Sequence, residues 1–133
     1  MEIYPTGLVT GWGTIIYMEV LTGSYISTMW FVPESTQVAI YDWMNGSVKS
    51  QRAPSELPFG HWAQIKIRQT LQENGEYLKE FEMNGNVFYS VVNTTPKEWK
   101  DVKLYVTDNK SYEPAKVSIR NFRIYSENPG KFF

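Results

Sequence analysis

The sequence predicts an all-β protein built from short antiparallel strands that form a sandwich or a barrel. Asn-Gly dipeptides stand at 45–46, 74–75 and 84–85, and each lies beside strand-like runs. Asn-Gly favours tight hairpins because both residues accept the positive φ values of the turn. No window of the chain has a sustained helical period. Aromatic residues are 16% of the chain, a share that suits pleated surfaces.

The first half of the chain is predicted to form four strands: residues 12–21, 27–32, 36–43 and 47–52. The first is dense in β-branched and aromatic residues between two glycines, which indicates a long, mostly buried strand. The second ends at a proline, and we expect its Trp30 to lie in the core among apolar neighbours. The third alternates between apolar and other residues, and the fourth returns from an Asn-Gly turn.

The second half is predicted to form further strands: residues 61–71, 77–83, a partner strand after the turn at 84–85, then 102–106 and 117–125. A loop with two prolines precedes them, and a corner at Thr95-Pro96 follows the hairpin. Ala63, Ile65 and Ile67 share one face of their strand, and polar residues share the other. In the last strand the apolar parity changes, which predicts a bulge or bend near Arg120-Asn121.

Length, charge and cysteine content exclude several classes of protein. A chain of 133 residues fits a single domain, residues 1–133. A net charge of −1 argues against a nucleic-acid partner and against a polybasic membrane surface. No apolar run approaches the roughly 20 residues of a membrane helix. The chain has no cysteine, so disulfides, thiolate nucleophiles and cysteine-based zinc sites are excluded.

The order of motifs in the second half resembles the concanavalin A-like jelly roll, the superfamily of laminin-G, pentraxin, galectin and legume-lectin domains. The residues that carry the resemblance are Trp62-Ala63-Gln64-Ile65-Lys66-Ile67, Tyr77, Phe81, Asn84-Gly85, Tyr89, 102–106 and 119–124. The resemblance implies a two-sheet antiparallel jelly-roll sandwich. Within the superfamily, residues 93–122 are similar to lectin-like modules of extracellular proteins of marine invertebrates.

The same resemblance implies a secreted, extracellular protein, although residues 1–5 lack the basic and apolar regions of a signal peptide. Asn-x-Ser/Thr triplets begin at Asn45, Asn93 and Asn109, which either serve as glycosylation acceptors or arise by chance. The chain departs from two members of the superfamily. It lacks the His-Asn-Arg set of a galectin, since His61 is its only histidine, and it lacks the metal-ligand cluster of a legume lectin.

The aromatic residues indicate a recognition function. Sugar CH faces stack on aromatic rings, and Asn, Gln and Arg bind hydroxyl groups. The predicted contact residues for a glycan or glycoprotein are Trp62, Gln64, Arg68, Trp43 and Tyr41. We therefore expect a non-catalytic, lectin-like recognition module, in which these residues share one sheet face.

Oxygen-bearing side chains in predicted loops suggest Ca²⁺ as the one candidate cofactor. Asp108 and Asn109, with Glu113 nearby, could supply ligands to an ion that takes six to eight oxygens. Asp42 and Asn45 are a second candidate pair. Polar turn residues of this kind also occur without a metal, so both alternatives stay open.

Two other functions fit the sequence. The same aromatic face and exposed edge strands would let an assembly or matrix protein form a homo-oligomer. Alternatively, Glu80 and Glu82 lie on one strand face, where glucanases of the superfamily carry a fuller acidic set, and would serve a glycoside hydrolase. We expect no enzyme, because that acidic set is incomplete and the chain has no nucleophile elbow.

Overall fold

The computed structural model describes residues 1–20, 25–96, 101–106 and 112–124, and all regular structure in these ranges is β-strand. Nothing in this part of the chain forms a helix that could span a membrane. The strands are β1 (Glu2–Pro5), β2 (Gly13–Glu19), β3 (Tyr25–Phe31), β4 (Gln37–Met44), β5 (Ser47–Glu56), β6 (Ala63–Leu71), β7 (Tyr77–Met83), β8 (Asn86–Asn93), β9 (Lys103–Tyr105), β10 (Glu113–Pro114) and β11 (Val117–Arg120).

The strands form two sheets. The five-stranded sheet has the order β11-β1-β6-β7-β8, and the six-stranded sheet has the order β10-β2-β3-β4-β5, with β9 also paired to β2. The pairs are antiparallel except for β10 and β2, which run parallel. The chain passes from one sheet to the other after β1, β5, β8 and β10. The structure therefore confirms an all-β fold with two antiparallel sheets that pack as a sandwich.

The core lies between the two sheets and follows the alternation of the strands. Val38 and Ile40 of β4 are buried, as are Ala63 and Ile65 of β6 on the opposing sheet, while intervening residues such as Gln64 face outward. Phe81 of β7 is fully buried in the same cluster. Period-2 patterning thus determines which side of each strand is apolar, as the sequence predicts.

The hairpin turns form where Asn-Gly predicts them. Asn45 and Gly46 have φ values of 54° and 71°, and Asn84 and Gly85 have values of 50° and 82°. Both residues of each turn are therefore in the left-handed region that Asn and Gly tolerate. In the third turn only Gly75 has a positive φ, and its amide donates to the Gln72 carbonyl at 2.9 Å.

Several boundaries differ from the prediction. β1 and β10 are not foreseen, because a strand of four or two residues is too short to show periodicity. β5 runs on through Pro54 to Glu56, which it can do as the edge of its sheet. The last strand ends at Arg120, and Asn121 follows with a φ of 51°, which is the bend predicted there.

An ion pair joins the two sheets inside the sandwich. Lys79 Nζ on β7 lies 2.5 Å from Asp42 Oδ2 on β4, and their side chains are 3% and 1% exposed. Burial raises the pKa of the Asp42 carboxyl, and the nearby Lys79 opposes that rise. Asp42, one of the second candidate pair for Ca²⁺, therefore lies within β4 and faces the core, paired with Lys79, and does not lie in a loop beside Asn45.

Candidate functional site

Three of the predicted contact residues lie on the outer face of the five-stranded sheet. Trp62 precedes β6, and Gln64 and Arg68 project from that strand on its exposed side. The guanidinium of Arg120 lies 3.8 Å from the centroid of the Trp62 ring, and the centroid of the Tyr4 ring lies 5.1 Å from it. A face of the Trp62 ring is therefore covered by a side chain of the protein itself.

Arg120 is fixed above Trp62 by a carboxylate. Its Nε and Nη2 atoms each donate to Glu2 at 3.2 Å, and Asn121 Nδ2 also donates to Glu2. Hydrogen bonds from Arg120 and Asn121 hold the pKa of the Glu2 carboxyl below its ordinary value. The two hydrogen bonds to Glu2 thus hold the Arg120 guanidinium over one face of the indole ring.

Ion pairs also occupy the other end of this face. Arg68 Nε lies 2.8 Å from Glu80 Oε2, and Arg68 Nη2 lies 3.8 Å from Glu82 Oε2. The two carboxylates that a glycoside hydrolase would use therefore share one arginine. Lys66 stands opposite Glu82 in the strand register, so opposite charges face each other across β6 and β7.

Tyr41 and Trp43 lie on the other sheet. Both project from β4 on the side opposite to the core residues Val38 and Ile40, so they face outward from the six-stranded sheet. The structure does not bring them together with Trp62, Gln64 and Arg68. The predicted contact residues are divided between the two outer faces of the sandwich.

Tyr41 belongs to a group of rings that we call the aromatic cluster: Trp12, Trp30, Tyr41 and Tyr112. Trp30 is central, with ring centroids at 4.6 Å from Tyr41, 5.6 Å from Tyr112 and 6.1 Å from Trp12. Tyr112 is 42% exposed, and the other three rings are half-buried. The guanidinium of Arg52 on β5 lies 5.6 Å from the centroid of the Trp12 ring.

Local structure explains why these rings meet. Met29 and Phe31 of β3 are core residues, so Trp30 between them faces outward, and the expectation that Trp30 lies in the core is wrong. β10 pairs with β2 at Gly13, where an added Cβ would lie 3.0 Å from the Cα atom of Ala115, the residue after β10. This pairing places Tyr112, which precedes β10, beside Trp30.

Polar groups lie beneath the aromatic cluster. Thr14 stands opposite Trp30, and Thr28 stands opposite Tyr41, and both threonines are buried. In the described part of the chain, their hydroxyl groups and the Nε1 atom of Trp30 have no hydrogen-bond partner. Buried polar groups are usually paired because desolvation without a partner is unfavourable. The cluster thus combines aromatic ring faces with buried polar groups that have no hydrogen-bond partner among the described residues.

A patterning signal could have found this cluster. In the run Thr28-Met29-Trp30-Phe31, period-2 alternation places Thr28 and Trp30 on the side opposite to Met29 and Phe31. The contribution of Trp12, Arg52 and Tyr112 has no such local signal, because it depends on which strands become neighbours.

Two of the Asn-x-Ser/Thr triplets begin with asparagines whose side chains form hydrogen bonds within the fold. Asn45 Nδ2 donates to the Val92 carbonyl at 2.8 Å, and Asn45 Oδ1 accepts from the Thr94 amide at 2.7 Å. Asn93 is 4% exposed, and its Nδ2 donates to Gln69 Oε1 at 2.8 Å. The nitrogen that would carry a glycan is hydrogen-bonded within the fold at both residues. Asn109 lies outside the described residues.

Replacing Asn45 with glycine tests this structural role. Glycine keeps the positive φ but removes the side-chain bonds to residues 92–94, so we expect the free energy of unfolding to fall by about 1–3 kcal/mol. Asn84→Gly is the matched control, since Asn84 has the same turn position and its Oδ1 accepts only from the Gln64 amide among described residues. Urea unfolding measures both, and an equal loss in the two variants would contradict the role given to Asn45.

The Ca²⁺ prediction is not tested by the structure. Asp108 and Asn109 lie outside the described residues, and Glu113 is exposed on β10. Within the described ranges, no group of three or more His, Cys, Asp or Glu side chains could hold a metal ion.

Comparisons with known proteins found no protein family, no curated protein and no solved structure that matches this chain.

Proposed function

We propose that this protein is a non-catalytic recognition domain that binds carbohydrate through the aromatic cluster on the outer face of the six-stranded sheet. The supporting observation is the grouping of Trp12, Trp30, Tyr41 and Tyr112 outside the core, with Arg52 beside them. Such rings suit the CH faces of sugars, and Arg52 can donate to hydroxyl groups. Of the contact residues predicted from the sequence, Tyr41 belongs to this site on the six-stranded sheet.

We also propose that the sandwich has the concanavalin A-like jelly-roll topology and that the protein is extracellular. Both rest on the resemblance to that superfamily, which is carried by residues 62–67, 77, 81, 84–85, 89, 102–106 and 119–124. A Ca²⁺ site at Asp108 and Asn109 stays a prediction of the same resemblance.

The test is glycan binding by matched tryptophan variants. Trp12 and Trp62 each have an arginine over the ring, but they lie on different sheets. After a glycan array has identified a ligand, we expect Trp12→Ala and Tyr112→Ala to weaken its binding by up to about tenfold each, the loss expected for one stacking contact. Trp62→Ala should leave the affinity unchanged in isothermal titration calorimetry.

The outcomes separate the two faces. A loss confined to Trp62→Ala would move the site to the five-stranded sheet, where Gln64 and Arg68 lie. If the folded protein binds no glycan on the array, the carbohydrate proposal is wrong. Circular dichroism of each variant shows whether a loss of binding reflects a loss of fold.

One observation favours the second candidate, an assembly protein. β8 is an edge strand whose sequence, Asn86–Asn93, contains neither charge nor proline, and its Val87 and Val92 are 43% and 37% exposed. Edges without charge or proline are open to pairing with another strand. A stable dimer in light scattering, together with no glycan binding, would favour assembly over recognition.

A further inference from the structure

A cavity of about 390 Å³ lies where the turn between β3 and β4 meets the end of β5. It shares no residue with the aromatic cluster. Its lining consists of Leu8, Glu34, Thr36, Glu56, Leu57, Pro58 and Phe59. Two of the apolar residues, Leu8 and Phe59, are 42% and 52% exposed and form an open apolar rim. The cavity therefore joins apolar walls to two carboxylates.

Hydrogen bonds fix the floor of this cavity and orient one carboxylate. Thr36 Oγ1 donates to the Leu57 carbonyl at 2.5 Å, which ties the β3–β4 turn to the end of β5. The Gln37 amide donates to Ser35 Oγ at 2.9 Å, and Ser35 Oγ donates to Glu56 Oε1 at 2.5 Å. The Glu56 carboxylate is thus held in place before any ligand binds, which lowers the entropy lost on binding.

The main chain of the second glutamate, Glu34, is fixed by the turn. Glu34 has a φ of 54°, and its amide donates to the Val9 carbonyl at 2.8 Å. A left-handed conformation is unfavourable for a residue with a Cβ atom and persists where surrounding bonds impose it. The turn therefore keeps Glu34 at the cavity wall.

Charge decides what the cavity would bind. Across the described ranges, neither Glu34 nor Glu56 forms an ion pair, unlike Glu2, Glu80 and Glu82. Two negative charges beside an apolar rim favour the binding of a ligand that carries a positive charge at the end of a hydrocarbon chain. Its charge would meet the carboxylates and the face of Phe59, and its stem would cover Leu8 and Leu57.

We propose that this cavity binds an alkylammonium group, supplied by a small primary amine or by a lysine side chain of a protein partner. The site is separate from the aromatic cluster, so the proposal does not depend on carbohydrate binding.

The test titrates the ¹⁵N-labelled protein with three compounds up to tens of millimolar. These are n-butylammonium chloride, the N-methylamide of Nα-acetyl-lysine, and the same lysine compound with its side chain acetylated. We expect saturable shifts of the Leu8, Leu57 and Phe59 amide signals with at least one of the two charged compounds and none with the acetylated one. A response to the lysine compound alone indicates a peptide partner, and a response to butylammonium alone indicates a small amine. Absence of both responses, or an equal response to the acetylated compound, would overturn the proposal.

Isosteric variants assign the effect to the carboxylates. Glu34→Gln and Glu56→Gln should each weaken binding of the charged compound by roughly threefold to fivefold, the loss expected for one exposed ion pair. The matched control is Glu73→Gln, an exposed glutamate in the turn between β6 and β7. Equal affinities in Glu56→Gln and Glu73→Gln would also overturn the proposal. Glu56→Gln keeps a side-chain oxygen that accepts the Ser35 hydrogen bond, so the floor of the cavity is kept.

Discussion

Replacing Lys79 with methionine should lower the free energy of unfolding by about 3–5 kcal/mol. The substitution keeps a long side chain but leaves the Asp42 carboxylate buried between the sheets without its cation. Asp42→Asn should have an effect of similar size, because it leaves the Lys79 ammonium without its anion at a side-chain exposure of 3%. Urea unfolding at neutral pH measures both losses.

A double variant distinguishes the cost of an unpaired charge from a loss of packing. Lys79→Met combined with Asp42→Leu removes both charges, and we expect its stability to return to within about 1 kcal/mol of the unchanged protein or to exceed it. Arg68→Ala is the exposed control: its side chain is 45% exposed, and we expect a loss below about 1 kcal/mol. A double variant as unstable as the single ones would contradict this explanation.

Replacing Phe81 with alanine should cost about 3–5 kcal/mol of unfolding free energy. Phe81 is fully buried at the centre of β7, and its ring stacks on Tyr89 with centroids 5.6 Å apart. Alanine would lose the transfer free energy of the ring and leave a cavity between the sheets. Chemical unfolding of purified variants gives the value.

Two variants test whether cavity size sets this loss. Phe81→Leu fills most of the space, and we expect it to cost less than about 2 kcal/mol. Phe59→Ala removes the same side chain from a position that is 52% exposed, and we expect a change within about 0.5 kcal/mol. If Phe81→Leu is as harmful as Phe81→Ala, the specific ring contact with Tyr89 matters more than the volume.

Most of the strands could be predicted because their signals are local. The alternation of Ala63, Ile65 and Ile67 with polar residues depends only on the geometry of one strand. The turns at Asn45-Gly46 and Asn84-Gly85 depend only on which residues accept positive φ. β1 escaped prediction because four residues are too few for a pattern, and its place in the sheet comes from pairing with β6 and β11, which are distant in sequence.

The candidate site was predicted only in part. Tyr41 is one of its rings, whereas Trp62 and Arg68 lie on the other sheet and are engaged by Arg120 and by two glutamates. Asp42 is a residue type that often binds Ca²⁺ in turns, but its position in β4 directs its side chain into the core. In each case the residue type indicated a possible role, but the residues that surround it in the fold could not be predicted from the local sequence.

The β class, the Asn-Gly turns and the apolar side of the main strands could all be predicted from the chain, because they follow from the conformations of adjacent residues. Which strands share a sheet depends on packing between distant segments. Outward-facing residues have the same alternating pattern on both sheets, so the pattern could not show that Trp62 and Tyr41 lie on different faces. It also could not pair Asp42 with Lys79 or place Glu34 beside Glu56, since these contacts form only when distant strands pack together.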